Sequence, residues 1–199
     1  MNKIKEVIIG TNNDGKYREI CNLLPNDIIK HSPKEFNILT PKETGKSFEE
    51  NSLIKATYFS KKTNLICLSD DSGLEIDLLN GQPGIYSSRW SGEKNNFNLA
   101  IKKIFKEMND KKKDWKNNNN TARFICCLTL FWPNGKNYFS KGIIKGKIST
   151  TNKGKNGFGY DPIFIPNGYN FTFGEMKPKL KMSIDHRFIA YNKIKNFFI

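Results

Sequence analysis

The sequence lacks several patterns that assign chains to common protein classes. No apolar run approaches the length of a membrane span, and residues 1–6 lack the apolar core of a secretory signal. The cysteines occur in apolar contexts and without C-x-x-C spacing, so neither a zinc site nor a disulfide framework is predicted. They are Cys21, Cys67, Cys126 and Cys127. We therefore expect a cytoplasmic protein, no membrane partner, and cysteines that serve as small core residues.

Acidic residues are also scarce. The chain has 19 Asp and Glu against 33 Lys and Arg, which gives a net charge of +14 and a pI near 9.6. A basic nucleic-acid-binding module is one explanation, because clustered Lys and Arg neutralise phosphates. However, the lysines are spread along the chain among many asparagines, without the interleaved aromatic residues of a single-strand binder. Low-GC coding bias explains this pattern better, so no stable nucleic-acid partner is expected. A basic surface would still attract a small polyphosphate.

With 199 residues and 37% hydrophobic content, the chain can bury the core of a single domain, which we predict to span residues 1–199. The most polar stretch is 110–120, which holds a run of lysines and a run of asparagines. Its composition predicts a mobile surface loop within that domain.

The stretch Ser69-Asp70-Asp71-Ser72-Gly73 follows the apolar run 65–68. This order predicts a buried strand that delivers two carboxylates to a turn at its end. Adjacent carboxylates repel one another, and an oxygen-seeking cation such as Mg²⁺ relieves that repulsion. The pattern alone also fits a solvated acidic turn.

Residues 6–24 suggest an anion site near the beginning of the chain. A predicted strand over 6–10 is followed by the polar turn 11–16 and then by a helix with an apolar face. Backbone N–H groups at the helix start and the Lys16 ammonium would both face an anion there. The turn does not match G-x-x-x-x-G-K-[ST], so a P-loop is not predicted, and an ordinary helix cap remains the alternative.

Two further segments carry candidate ligand contacts. Ser47 and Glu50 form a capping-box pattern that opens a helix running to about Lys62, with Asn51 and Lys55 on one face. Lys55 could thus point at a ligand, although a solvated lysine is the common alternative. The segment 154–162 places glycines around two aromatic residues, which suits either close approach to a nucleotide base or an ordinary glycine loop.

The end of the chain adds a third candidate segment. Asp185 fits the N-cap of a closing helix, which would place His186 and Arg187 in its first turn. A lone histidine is usually structural, but this one adjoins an arginine and follows several lysines.

Taken together, these segments resemble the Ham1-like family of non-canonical purine nucleoside triphosphate pyrophosphatases. The resemblance covers nearly the whole chain in order. The matching segments are 11–16, 43–45, 47–56, 70–74, 84–90, 122–124, 157–162 and His186-Arg187. Any one of them is modest support, whereas the ordered set is highly specific.

The resemblance implies an elongated α/β protein with two lobes, a central mixed β-sheet flanked by helices, and a nucleotide cleft between the lobes. It also implies a homodimer and Mg²⁺-dependent hydrolysis of ITP, dITP and XTP to the monophosphate and pyrophosphate. The implied proton acceptor is Asp71, and the implied metal ligands are Asp71 and Glu43, with Asp70 a further candidate. The position before Glu43, often acidic in the family, is Lys42 here.

The remaining site residues follow from the same motifs. Those implied to hold phosphates are Thr11, Asn12, Asn13, Asp14, Gly15 and Lys16. Those implied to contact the substrate or to form the nucleoside pocket are Ser72, Phe158, Gly159, Tyr160, Asp161, Lys181, His186 and Arg187. We expect Lys16 and Lys55 to offset charge on the phosphates as the α–β bond breaks.

Overall fold

The computed structural model describes residues 3–92, 96–118 and 120–199. The helices are α1 (Asp14–Leu23), α2 (Phe48–Thr63), α3 (Phe97–Lys111), α4 (Trp115–Asn118), α5 (Pro178–Met182) and α6 (His186–Asn192). The strands are β1 (Glu6–Ile9), β2 (Ile29–His31), β3 (Cys67–Ile76), β4 (Thr121–Phe131), β5 (Asn137–Ile148) and β6 (Phe164–Pro166). Within the described part of the chain, no helix is both long and apolar enough to cross a membrane.

The strands form a mixed six-stranded sheet with the order β2-β1-β3-β4-β5-β6. Strand β1 is parallel to both β2 and β3, and Ile8 and Ile9 are in register with Cys67 and Leu68. Strand β6 is antiparallel to β5. The predicted α/β class with a central mixed sheet flanked by helices is confirmed.

The chain divides into two compact units. Unit 1 comprises the chain up to Asp71 together with Cys126–Gly142 and His186–Ile199, and unit 2 comprises Ser72–Ile125 and Ile143–Asp185. In unit 1, α1 and α6 pack on the apolar residues of β1 and β4, while Ala56 and Phe59 of α2 pack with Ile8. In unit 2, the apolar face of α3 packs with an aromatic cluster that includes Phe124, Phe164 and Phe173. Three of the four cysteines are buried, as expected for core residues.

Strand β3 differs from its prediction. The acidic stretch was predicted to form a turn at the end of a strand, but Ser69 to Gly73 lie inside one continuous strand from Cys67 to Ile76. Asp70 is fully buried and Asp71 is 5% exposed. The strand tolerates these carboxylates because basic side chains from elsewhere in unit 1 bond to them. The two aspartates are thus held rigidly by the sheet.

The predicted loop over 110–120 is also corrected in part. Helix α3 continues to Lys111, and α4 occupies Trp115–Asn118. Trp115 is 1% exposed, its indole N–H donates to Asn109 Oδ1 at 2.8 Å, and its ring stacks on Phe105. A single aromatic anchor therefore organises a segment whose composition is otherwise that of a solvated loop, and Asn119 lies outside the described residues.

Candidate active site

The polar turn between β1 and α1 is built by its own side chains. Asn13 is the N-cap of α1, and its Oδ1 accepts from the Lys16 N–H at 3.0 Å. Thr11 Oγ1 accepts from the Asn13 N–H at 3.1 Å. Asn12 Nδ2 donates to the Ile38 carbonyl oxygen and to Thr40 Oγ1, each at 3.1 Å. The predicted strand, turn and capped helix are confirmed, and these bonds direct the start of α1 and Lys16.

Two residues of the predicted phosphate turn have a different environment. The Asp14 carboxylate is exposed and pairs with Lys34 Nζ at 2.6 Å, which lowers the pKa of Asp14. Gly15 lies within the first turn of α1 and contributes backbone only. The structure therefore joins Lys16, but not the Asp14 side chain, to the buried charges described next.

Lys16 extends from α1 to the paired aspartates of β3. Its Nζ lies 3.2 Å from Asp70 Oδ2 and 4.0 Å from Asp71 Oδ1, and its side chain is 15% exposed. One ammonium therefore bridges the two adjacent carboxylates and offsets their repulsion.

Lys55 of α2 meets Asp71 from another side. Its Nζ lies 3.4 Å from Asp71 Oδ1 and also donates to Glu43 Oε1. Lys55 is 3% exposed, so the predicted alternative of a solvated lysine is excluded. The structure brings Glu43 and Asp71, the two carboxylates implied to bind metal, to the same buried ammonium.

Arg187 of α6 approaches Asp70. Its Nη2 donates to Asp70 Oδ2 at 3.2 Å, and its Nη1 donates to Glu19 Oε2 at 2.7 Å. His186 Nε2 lies 3.3 Å from the same Nη1, and both residues of the pair are buried. Glu19 was not predicted, although its position three residues after Lys16 on α1 places it on the same helix face. We refer to Lys16, Glu19, Glu43, Lys55, Asp70, Asp71, His186 and Arg187, all in unit 1, as the charged cluster.

Burial and the neighbouring lysines act in opposite directions on Asp71. Burial raises the pKa of Asp71 above its usual value, while Lys55 and Lys16 act to lower it. Burial would lower the pKa of Lys55, but Asp71 and Glu43 outweigh that effect and raise it to about 12. Lys55 therefore stays charged at every physiological pH, and Asp71 holds a proton more readily than an exposed aspartate.

The charged cluster has the chemistry of a site for a hard cation. Asp71 Oδ2 is buried and has no hydrogen-bond partner among the described residues. Carboxylate oxygens are the ligands that Mg²⁺ prefers. No group of three or more His, Cys, Asp or Glu side chains in the described ranges forms a preassembled metal cluster. Glu43 and Asp71 meet through the Lys55 ammonium instead, and the residues present fit a cation held by Asp71 and Glu43.

In unit 2, Lys181, Asp161 and Phe158 form a separate group. Lys181 Nζ lies 2.6 Å from Asp161 Oδ2, and both side chains are almost fully buried. The same oxygen accepts from the Phe158 N–H at 2.8 Å, and Lys181 Nζ lies 5.2 Å from the centre of the Phe158 ring. A Cβ on Gly157, whose φ is +73°, would lie 1.9 Å from Asp161 Oδ2, so only glycine permits this close approach.

The other predicted contacts in unit 2 differ in accessibility. Tyr160 is buried, its hydroxyl donates to the Ser87 carbonyl oxygen at 2.8 Å, and its ring packs edge to face on Phe97. Burial raises its pKa, so Tyr160 stays neutral and acts as a structural anchor. Gly159 and Phe158 are half-buried, as is Ser72, which directly follows Asp71 on β3.

The structure thus groups the predicted site residues in two sets. Unit 1 brings Lys16, Glu43, Lys55 and Asp71 together, and places His186 and Arg187 beside Asp70. Unit 2 brings Phe158, Asp161 and Lys181 together. The resemblance implied one nucleoside pocket for members of both sets, and that assignment remains a prediction.

Comparisons with known proteins match almost the entire chain. The model of the Ham1 family matches residues 7–197. A dITP/XTP pyrophosphatase of Oceanobacillus iheyensis is 40% identical to this chain over 197 residues, which covers 98% of each chain. A dITP/XTP pyrophosphatase of Caulobacter vibrioides is 37% identical over 190 residues, which covers 96% of each chain. Among solved structures, a HAM1 protein from Coxiella burnetii has a TM-score of 0.86 with 33% identity and covers 97% of this chain and 98% of its own. The Staphylococcus aureus Ham1 protein has a TM-score of 0.82 with 34% identity and 97% coverage of both chains.

Proposed function

Since the chain belongs to the Ham1 family, we propose that it is a nucleoside triphosphate pyrophosphatase that hydrolyses ITP, dITP and XTP to the monophosphate and pyrophosphate. Curated relatives named dITP/XTP pyrophosphatase support this assignment. The observation that carries it here is the charged cluster, in which Lys16 and Lys55 meet the buried carboxylates of β3. A polyphosphate and an attacking water both need such partners.

Asp71 is the residue that we assign as proton acceptor. Its Oδ2 has no hydrogen-bond partner among the described residues, so that oxygen is available to a water molecule. Its raised pKa brings the carboxylate closer to the range in which a general base works at neutral pH. Because β3 fixes the backbone on both sides of Asp71, the base needs little reorganisation.

Lys16 and Lys55 offset negative charge on the phosphates. Both are mostly buried, and a cation in a water-poor site stabilises developing charge more strongly than one in bulk water. The Thr11–Lys16 turn adds backbone N–H groups at the start of α1, which attract anions.

Asp71 and Glu43 are the proposed ligands of Mg²⁺. When bound, Mg²⁺ would neutralise triphosphate charge and act as a Lewis acid on the phosphoryl oxygens. Asp70 contributes indirectly, since it accepts from Arg187 and holds Lys16 beside Asp71.

Base selection is assigned to residues that the family resemblance implies for the nucleoside. The half-buried Phe158 ring can stack on a purine, and its glycine neighbours allow the base to come close. Donors such as His186, Arg187 or backbone N–H groups would bond a 6-oxo group, and the 6-amino group of adenine would leave them unpaired. Cytoplasmic localisation and a homodimer complete the proposal.

The experiment that tests the function is a panel of nucleoside triphosphates assayed for pyrophosphate and orthophosphate with and without Mg²⁺. We expect Mg²⁺-dependent pyrophosphate release from ITP, dITP and XTP and much slower turnover of ATP. Equal turnover of ATP and ITP, or orthophosphate as the primary product, would refute the proposal. A steeply salt-dependent gel shift with generic DNA or RNA, without nucleotide hydrolysis, would instead favour the basic binding module.

A further inference from the structure

Asn51 is a buried polar side chain to which neither the sequence motifs nor the proposed mechanism assigns a role. It lies in the first turns of α2, is fully buried, and its Oδ1 accepts from the Gly45 N–H at 2.8 Å. Gly45 is two residues after Glu43, and Asn51 is four residues before Lys55. One face of α2 therefore contacts the Glu43 loop at two points, through Asn51 and through Lys55.

The contact between Gly45 and α2 is tight. A Cβ on Gly45 would lie 2.6 Å from Glu50 Cβ and 2.7 Å from Asn51 Oδ1, distances that force the loop away from the helix. A second bond, from the Lys46 N–H to Glu50 Oε2 at 2.7 Å, is exposed to solvent. Water can replace that exposed bond, whereas the bond at Gly45 is partly buried and its acceptor Asn51 is fully buried, so water replaces it less readily.

A purely structural role would favour an apolar residue at this position. Asn51 Nδ2 is buried without a hydrogen-bond partner among the described residues, which makes the amide costly. A leucine of similar size would fill the same space without that cost, but it could not accept from Gly45. The amide is therefore explained by its bond to the loop.

We propose that Asn51 is a positioning residue that holds the 43–45 loop against α2, so that the Glu43 carboxylate stays beside Lys55 and Asp71. Without this bond, the loop would still contact α2 through the Glu43–Lys55 ion pair and the exposed Lys46–Glu50 bond, but its backbone would lose the bond at Gly45 that lies next to the Glu43 segment. Residues that orient a metal ligand typically change metal affinity by about 10–100-fold when they are replaced. The inference rests on the proposed role of Glu43 and Asp71 as metal ligands.

The test is Mn²⁺ binding in the absence of nucleotide, measured by isothermal titration calorimetry on four proteins. These are the wild type, Asn51→Leu, Glu43→Gln and the Asn51→Leu/Glu43→Gln double variant. We expect Asn51→Leu to weaken Mn²⁺ binding by about 10-fold or more. We expect the double variant to bind like Glu43→Gln alone, because Asn51 acts only through Glu43.

Ser52→Ala is the matched control. Ser52 is the next residue on α2 and is also fully buried, but its hydroxyl bonds to the Glu49 carbonyl oxygen and to Thr129 rather than to the loop. It should lose some thermal stability and keep wild-type Mn²⁺ affinity. If Asn51→Leu fails to fold, Gly45→Ala disrupts the same contact from the loop side. It should weaken Mn²⁺ binding in the same way.

The outcomes separate the inference from the function on which it rests. Wild-type Mn²⁺ affinity in Asn51→Leu or Gly45→Ala, or additive losses in the double variant, would overturn the positioning role and leave the metal site intact. A wild-type protein that binds no Mn²⁺ would overturn both. Faster hydrogen exchange of the Gly45 amide in Asn51→Leu, with no change in Ser52→Ala, would support the loop contact directly.

Discussion

Replacing Lys55 with methionine tests the electrostatic account of the charged cluster most directly. Methionine keeps an unbranched side chain of similar length but removes the ammonium between Glu43 and Asp71. The side chains of Lys55 and Asp71 are 4% and 7% exposed, and that of Glu43 is 19% exposed. Two carboxylates would then face each other with little water to screen them.

The expected cost follows from this burial. Removing one partner of a buried ion pair destabilises a protein by about 3–5 kcal/mol, because the remaining charge is left uncompensated. Lys16 still lies 4.0 Å from Asp71 and Glu43 retains partial solvation, so we expect a value near the lower end, about 3 kcal/mol. That loss is a large fraction of the roughly 5–15 kcal/mol by which such domains are stable.

The loss should depend on pH. Burial already raises the pKa of Asp71, and Lys55 is its strongest opposing influence, so Lys55→Met should raise that pKa further. A carboxyl whose pKa is raised on folding binds its proton more tightly in the folded state, so its contribution to stability declines as pH rises through that pKa. The deficit of the variant should therefore be small at acidic pH, where Asp71 is protonated, and larger at pH 7.

Urea denaturation of the wild type, Lys55→Met and Lys61→Met at several pH values measures this effect. Lys61 is exposed on the same helix, and its replacement should change the free energy of unfolding by less than about 0.5 kcal/mol. A deficit for Lys55→Met below about 1 kcal/mol at pH 7, or one that does not change with pH, would refute the argument.

Three further predictions test other parts of the molecule. Asp71→Asn should lower kcat for ITP by about 10²–10⁴-fold in a pyrophosphate-release assay, and near-normal kcat would remove Asp71 as proton acceptor. Lys181→Met should lower the urea midpoint strongly because it removes the ammonium that balances the charge of the buried Asp161 carboxylate. Adding Asp161→Asn should restore part of the loss, and no recovery would contradict the pairing. Hydrogen bonds to Glu35 and Glu6 raise the pKa of His31 above 6.5, and His31 lowers the pKa of Glu35 below 4.5. The wild type should therefore be more thermally stable than His31→Gln, and by the largest margin between these two pH values. The margin should decline as pH rises through the pKa of His31 and as pH falls through the pKa of Glu35. A margin that does not depend on pH would exclude the ion pair.

The parts of the fold that were predictable from sequence depend on local chemistry. The Ser47 cap is confirmed, because its hydroxyl accepts from the Glu50 N–H three residues later. The start of α1 was likewise confirmed, since a helix cap involves residues close in sequence. One detail of this predicted capping box differs. The Glu50 side chain accepts from the Lys46 N–H, whereas the capping-box pattern predicts a bond to the Ser47 N–H.

The parts that were not predictable depend on partners distant in sequence. The Ser-Asp-Asp-Ser-Gly stretch has the composition of a turn, and it remains a strand only because Lys16, Lys55 and Arg187 neutralise its carboxylates. The same reasoning applies to α4. Trp115 is buried there, but the lysines and asparagines around it in the sequence have the composition of a surface loop. Sequence motifs identified which residue types would form the candidate site, but not which lysine would pair with which carboxylate.

These pairings bear on how a triphosphate could bind. Lys16 and Lys55 are both bound to carboxylates already. The charged cluster also contains one more carboxylate than it has lysine and arginine side chains. The carboxylates are those of Glu19, Glu43, Asp70 and Asp71, and the basic side chains are Lys16, Lys55 and Arg187. A triphosphate that reached these lysines alone would add several negative charges to a buried site in which both lysines are already paired with carboxylates, which is unfavourable. In the proposed function, a cation bound before the nucleotide would supply the additional positive charge. Glu43 and Asp71 are the ligands that we propose for this cation. Lys55, once released from them, would turn to the phosphates.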